Sequence, residues 1–129
     1  MKYLIDTDWV IHSLRGEKRV MKKLLELKGE GLTINVISLA ELYEGVYRST
    51  DPTSDEKVLE DFLTGVSILG ISSEVCKIFG RERARLRKEG KLIGDIDLLI
   101  ACTCLHHDLT LLTDNIREFG RVENLKILK

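Results

Sequence analysis

Three acidic residues fall where predicted strands end or predicted helices begin. Asp6 follows the apolar residues 3–5, Glu41 lies in the first turn of a predicted helix, and Asp97 opens an apolar helix. In an open parallel sheet such positions converge outside the carboxyl ends of the strands. Carboxylates crowded there repel each other unless a cation lies between them, and magnesium takes oxygen ligands. The pattern predicts a divalent metal site. Such a site suits phosphodiester hydrolysis, because the metal lowers the pKa of a bound water and neutralises phosphate charge.

Some of these acidic residues also have a purely structural interpretation. Asp6 and Asp8 could each cap the helix that follows them. Ser38 and Glu41 have the spacing of a capping box, in which the glutamate reaches back to the serine amide. Asp6 and Glu41 fall at the same predicted sheet edge, and this shared position favours a functional role for both.

A second group of aspartates lies later in the chain. Asp95 and Asp97 are two residues apart, which is about 200° around a helix, so they cannot both face one ion. We expect Asp95 to cap the helix and Asp97 to face the site. Asp114 follows Thr113 at the end of another predicted strand.

The elements that must position these residues alternate between strands and helices. Strands are predicted at residues 2–5, 32–37, 66–69, 109–113 and 125–128. Helices are predicted after Asp8, at residues 17–27, 39–47, around Val58 to Leu63, at 73–88 and at 97–107. Residues 48–56 contain the only proline and predict a surface loop. The alternation predicts an α/β sandwich around a mainly parallel sheet. With 129 residues we expect a single domain, residues 1–129.

The amino-acid composition limits the kinds of protein that this chain can be. Hydrophobic residues make up 43% and charged residues 32%, and no apolar run is long enough to cross a bilayer. The amino terminus reaches Asp6 too early for a signal peptide, so we expect a cytoplasmic protein without a membrane partner. The formal charge of −1 does not indicate nucleic-acid binding, so any RNA affinity must come from local patches or from metal.

Two other groups of residues invite a functional interpretation. Cys102 and His106 share a helix face and could bind zinc, but buried reduced thiols explain the cysteines better, and no disulfide is expected. Basic segments at residues 18–23 and 81–91 are solvated helix faces or, if they flank the acidic edge, contacts for an RNA backbone.

Four segments in order resemble a known family. They are residues 4–7 (LIDT), 38–42 (SLAEL), 93–101 (IGDIDLLIA) and 111–115 (LLTDN), the last followed by Glu118-Phe119. Together they resemble a PIN domain and are most similar to the VapC-type toxins of type II toxin–antitoxin pairs. The resemblance covers almost the whole chain and implies a three-layer α/β/α sandwich.

The resemblance also implies an activity and its residues. It implies a ribonuclease that uses Mg²⁺ or Mn²⁺, with Asp6, Glu41 and Asp97 as acidic ligands and a metal-activated water that attacks the RNA phosphate. The fourth polar position of the family falls on Asn115, while Asp114 supplies a charge one residue earlier. The implied partners are an RNA substrate, a small VapB-like antitoxin and a second copy of the chain as a homodimer.

Two other functions fit parts of the sequence. The segment from Asp6 to Val10 fits the nucleophile motif of a haloacid-dehalogenase-like phosphatase, with Asp6 forming a phospho-aspartate, but Asp97 comes too early for the metal motif of that class. The second alternative is a PIN-like fold kept only as a binding module, against which the intact acids argue.

Overall fold

Five short strands form one parallel sheet in the computed structural model, which describes residues 2–129. In chain order they are β1 (Tyr3–Ile5), β2 (Leu32–Asn35), β3 (Val66–Leu69), β4 (Thr110–Leu112) and β5 (Lys126–Leu128). Their order in the sheet is β3-β2-β1-β4-β5. The central strand β1 pairs with β2 and β4, so that Leu4 lies between Thr33 and Leu111. The carboxyl ends of all five strands therefore share one edge.

Helices cover both faces of this sheet. They are α1 (Thr7–Leu14), α2 (Lys18–Leu27), α3 (Val36–Tyr47), α4 (Pro52–Leu63), α5 (Ser73–Lys88), α6 (Asp95–His107) and α7 (Ile116–Phe119). Successive strand residues point to opposite faces, so Ile5 packs in the core beneath α1 to α4 and Leu4 in the core beneath α5 to α7. The predicted three-layer α/β/α sandwich is confirmed, and every strand pairing in it is parallel.

The junction between β2 and α3 differs from the prediction. The strand ends at Asn35 and the helix begins at once, because the Asn35 side-chain oxygen accepts a hydrogen bond of 2.7 Å from the Ile37 amide. The capping-box interpretation of Ser38 and Glu41 is wrong, since Ser38 lies buried inside α3, where its hydroxyl contacts Thr7.

Three further boundaries were predicted incorrectly. The predicted loop at residues 48–56 is shorter, because Asp51 caps α4 and Pro52 occupies its first position, where a missing N–H costs nothing. Asp95 is the first residue of α6 and not its cap, which is Gly94. The four-residue helix α7 was not predicted.

Two predictions from composition can be compared with the structure. None of the helices in residues 2–129 has the length and apolarity needed to span a membrane. Cys76, Cys102 and Cys104 are free, and the last two are buried in α6, as expected for reduced core thiols. Burial raises the pKa of Cys102 to about 12, so it stays a neutral thiol and is a poor zinc ligand.

Candidate active site

Asp6 lies at the centre of the carboxyl edge of the sheet. It follows β1 directly, its amide donates to the carbonyl of Leu112 (3.0 Å), and it is only 4% exposed. The Thr113 hydroxyl, at the end of the neighbouring β4, donates to Asp6 Oδ2 over 2.8 Å. Asp6 occupies the cap position of α1, but its side chain makes no capping hydrogen bond. The carboxylate is thus fixed by the sheet and keeps its second oxygen for other partners.

Glu41 is brought to the same edge by α3. It lies in the second turn of that helix, since α3 begins earlier than predicted. Thr7 Oγ1 lies 2.8 Å from Glu41 Oε1 and 2.8 Å from Ser38 Oγ. An ionised carboxylate only accepts hydrogen bonds, so Thr7 donates its single proton to Glu41. Thr7 therefore links the residue after Asp6 to Glu41 and fixes the second carboxylate relative to the first.

Asp97, in the first turn of α6, completes the acidic group. Burial, together with the negative charges of Glu118, Glu41 and Asp8, raises the pKa of Asp97 to about 6. Burial is also the main reason that the pKa of Asp6 is raised to about 6; the hydrogen bond from Thr113 opposes this rise, and the charges of Asp97 and Asp8 contribute to it. Asp97 thus interacts electrostatically with Asp6, Asp8, Glu41 and Glu118, although these residues come from separate parts of the chain.

Within residues 2–129, no cation neutralises this group. None of the five carboxylates takes part in an ion pair with a lysine, arginine or histidine of that range, whereas several acids elsewhere, among them Glu30, Asp114, Asp95 and Glu82, are paired. We call these five residues the acidic site: Asp6, Asp8, Glu41, Asp97 and Glu118. Asp6 is buried and Asp97 half-buried, and both have raised pKa values; unpaired carboxylates of this kind are typical of a site that binds a cation from outside the chain.

The donor set fits a hydrated hard cation. In the described part of the chain, no three acidic, histidine or cysteine side chains lie close enough to hold a metal ion by themselves. The expectation that Asp6, Glu41 and Asp97 jointly enclose one ion is therefore too strong, although the structure brings all three to one edge. Magnesium usually keeps several waters and is held by one or two carboxylates together with substrate phosphate. Oxygen ligands of this kind, with room for water, meet that requirement.

Asn115, the predicted fourth residue of the site, has a structural role in addition to its place at the carboxyl edge of the sheet. Asn115 caps α7, and its side-chain oxygen accepts from the Glu118 amide over 3.3 Å. Asp114 is neutralised by Arg19, whose Nη2 lies 2.7 Å from its Oδ2. Glu118 supplies the charge at this side of Asp97 instead. The available signal was Asn115 followed three residues later by Glu118, which is the spacing of a helix start.

The sequence also gave no sign of a buried hydrogen bond that joins α3 to α6. Asn35 Nδ2 donates to Thr103 Oγ1 over 2.7 Å, and Thr103 donates to the Leu99 carbonyl over 2.8 Å. Both side chains are fully buried. Because α3 carries Glu41 and α6 carries Asp97, this contact fixes the separation of the two helices behind the acidic site.

The other candidate residues lie outside the site or play structural parts. Asp95 forms an ion pair with Arg83 and has a side chain that is 65% exposed. Trp9 is fully buried in the core, so it cannot stack on a base, while Tyr47 is exposed on α3. Within the basic segment of α5, Arg85 is held by Glu82 and Glu89.

Comparisons with known proteins place the chain in a family. Residues 3–125 match the model of the PIN domain. The protein named Ribonuclease VapC2 in Haemophilus influenzae is 34% identical over 126 residues, which are 98% of this chain and 96% of that protein. The tRNA(fMet)-specific endonuclease VapC of Salmonella typhimurium is 27% identical over 127 residues, with coverages of 98% and 96%. A crystal structure of VapBC2 from Rickettsia felis, bound to a DNA fragment from its promoter, superposes with a TM-score of 0.93 at 31% identity, covering 99% of this chain and 98% of that one. The family resemblance of the sequence is confirmed, and the chain belongs to the PIN-domain family.

Proposed function

We propose that this protein is a ribonuclease of the VapC type, a toxin that cleaves RNA with Mg²⁺ or Mn²⁺ at the acidic site. One observation carries the proposal: Asp6, Glu41 and Asp97 come together without any compensating cation from residues 2–129. Burying such charges opposes folding, so their presence needs a functional reason. A divalent cation and an RNA phosphate supply one. The names of the relatives, Ribonuclease VapC2 and tRNA(fMet)-specific endonuclease VapC, agree with this function.

Each residue of the site has its own part in the proposed reaction. Asp6, which is buried, and Asp97, which is half-buried, would hold the cation, and Glu41 would hold it directly or through a water. When bound there, Mg²⁺ or Mn²⁺ supplies charge neutralisation for the phosphate and lowers the pKa of a water. Thr113 and Thr7 orient Asp6 and Glu41 through their hydroxyl groups.

The outer side of the site is formed by α7. Within residues 2–129 the amide N–H₂ of Asn115 has no partner and would be available to orient a water, while its oxygen caps the helix. The Glu118 carboxylate would accept hydrogen bonds from waters near a bound cation. These residues therefore act on the solvent next to the reacting phosphate and not on the phosphate itself.

The proposal extends to the partners of the protein. Several similar solved structures are VapBC complexes, and a small VapB-like antitoxin is the partner proposed here. A site rich in carboxylates and free of internal cations is complementary to a basic side chain from such a partner. We also propose that residues 1–129 act as one nuclease domain and that the toxin forms a homodimer.

Cleavage assays with matched variants test the proposed chemistry. The substrates are initiator tRNA and a structured control RNA, with Mg²⁺, with Mn²⁺ and with EDTA. Asp97→Asn should reduce cleavage at least about 100-fold, because losing a ligand costs no less than losing an outer-shell partner. Asp95→Asn is the control two residues away on α6, where the side chain pairs with Arg83 and points away from the site. It should stay within about threefold of the parent, as expected for an exposed ion pair.

Three results would overturn the proposal. Equal loss of activity in both variants would mean that α6 matters only as a structural element. RNA left uncut under every metal condition would favour the binding-module alternative. Trapping of a beryllofluoride adduct on Asp6 would favour the phosphatase alternative.

A further inference from the structure

A groove leads away from the acidic site between α1, α3 and α4. Its volume is about 360 Å³, within the usual range for small-ligand pockets. Glu41 lines it, so the groove and the acidic site are continuous. Its floor is apolar and is formed by Ile11, Leu14, Leu42, Val46 and Val58. A surface of this kind can accept a flat, weakly polar group such as an unstacked nucleobase.

Two arginines line the same groove. Arg15 follows the last residue of α1, and Arg48 follows the last residue of α3. Both are exposed, and neither forms an ion pair within residues 2–129, unlike Arg19, Arg83 and Arg85. Asp55 also lines the groove but pairs with neither of them. The dipole at a helix end favours a cation at these positions, yet it leaves the donors of both guanidinium groups available.

The position of the arginines relative to the acidic site suits a neighbouring phosphate. Arg48 lies seven residues beyond Glu41 on the same helix, a distance of about 10 Å along the axis. Arg48 is therefore placed to hold the strand next to the reacting phosphate rather than the reacting phosphate itself, and Arg15 lines the same groove.

We propose that this groove is a substrate subsite for single-stranded RNA, in which a base lies on the apolar floor and adjacent phosphates bind Arg15 and Arg48. The inference rests on the ribonuclease function proposed above and names the part of the chain that holds the substrate. Guanidinium groups bind phosphate oxygens in a bidentate manner, which an ammonium group cannot do. A base reaches an apolar floor only after it leaves the stack, so the subsite selects unpaired segments over duplex RNA. The overall charge of −1 makes such local cations necessary for RNA affinity.

The test separates binding from chemistry. Arg15→Ala/Arg48→Ala should raise the KM for a single-stranded RNA at least about tenfold while kcat changes less than about threefold, because the lost contacts act on binding. In the Asp97→Asn background, fluorescence anisotropy with a labelled single strand should show weaker binding. The slope of log affinity against log salt should fall by about 1.4, for two phosphate contacts on a single strand. The preference for the single strand over its duplex should also shrink.

The matched control is Arg81→Ala/Arg87→Ala on α5. These two arginines are also exposed and without an ion pair within residues 2–129, but α5 covers the opposite face of the sheet. This variant should keep the parent KM and salt slope. If it weakens binding as much as the groove variant, general surface charge holds the RNA and the subsite is wrong. The inference is also wrong if the groove variant keeps the KM and salt slope of the parent, even if that variant no longer binds the VapB-like protein.

The two proposals fail in different ways. A parent protein that binds the labelled strand but cuts no RNA contradicts the ribonuclease function, and the binding measurements still decide the subsite. A parent that cuts RNA with kinetics unaffected by the groove variant contradicts the subsite alone. Thermal melting of each variant shows whether it is folded, and Arg15→Lys/Arg48→Lys, which keeps the charge, should recover the salt slope but only part of the affinity.

Discussion

Asp6→Asn should make the metal-free protein more stable, although it removes a residue from the centre of the active site. A carboxyl group whose pKa rises from 3.8 to about 6 on folding opposes folding by about 3 kcal/mol once it is ionised. Asparagine has nearly the same shape, is neutral and can still accept the hydrogen bond from Thr113. Allowing for imperfect contacts of the new amide, we expect a gain of about 1–3 kcal/mol at about pH 7.5, or a melting temperature higher by roughly 3–10 °C.

The raised pKa of Asp6 also determines how the stability difference between Asp6→Asn and the parent changes with pH. Between about pH 4 and pH 6 the folded protein holds a proton on Asp6 that the unfolded chain has released. Stability of the parent therefore falls as the pH rises through that window and levels off above it. The advantage of Asp6→Asn should shrink to about 1 kcal/mol near pH 4.5 and reach its full size above about pH 7.

Urea unfolding in EDTA, at several pH values, measures the difference directly. Added Mg²⁺ should narrow it, because a ligand at 100 times its Kd stabilises the parent by about 2.7 kcal/mol and binds the variant less well. Asp95→Asn is the matched control; it is exposed and paired with Arg83, so its free energy of unfolding should change by less than about 0.5 kcal/mol. A variant less stable than the parent at about pH 7.5 in EDTA, or a gap that does not vary with pH, would refute the reasoning.

Three further predictions concern the surroundings of the site. Asn35→Ala removes both a helix cap and a buried hydrogen bond, so urea unfolding should show a loss of about 2–4 kcal/mol, and the Mg²⁺ needed for half-maximal activity should rise. Glu118→Gln removes a negative charge that raises the pKa of Asp97, so the acidic limb of the pH–rate profile should move to lower pH. Iodoacetamide should modify Cys76 and leave Cys102 and Cys104 unmodified in the folded protein, because both are buried with raised pKa values; mass spectrometry of the intact chain checks this.

The first half of the acidic site could be predicted because its signals are local. An apolar strand followed by Asp6 is visible within a few residues, and so is the helix that begins after it. The bounds of the long helix α5 were predicted correctly, since a run of helical periodicity follows Ser72 and ends before Gly90. In these segments local propensity and the final fold agree, so little depends on distant contacts.

The remaining features depend on contacts between distant residues. Asn35 caps α3 through its side-chain oxygen, and its amide donates to Thr103, which lies 68 residues later in the chain. From the sequence, Asp114 is a candidate for the site, but in the folded chain Arg19, 95 residues earlier, neutralises it. Glu118 lies on a helix of four residues, too short to show any periodicity in the sequence. The pairings of Asn35 with Thr103 and of Asp114 with Arg19 are set by tertiary packing and have no local signal, and the only local signal for α7 is the spacing of Asn115 and Glu118.

The same contacts explain how the chain can keep its acidic site. The carboxylates of Asp6 and Asp97 oppose folding, and the hydroxyl of Thr113 offsets only part of the cost for Asp6. The sheet and the two apolar cores must supply the rest, and the link between Asn35 and Thr103 prevents α3 and α6 from separating to relieve the repulsion. A site preorganised in this way remains ready for a cation, since the energy of repulsion is released when one binds. Substitutions that break the link, such as Asn35→Ala, should therefore weaken metal binding in addition to lowering the free energy of unfolding.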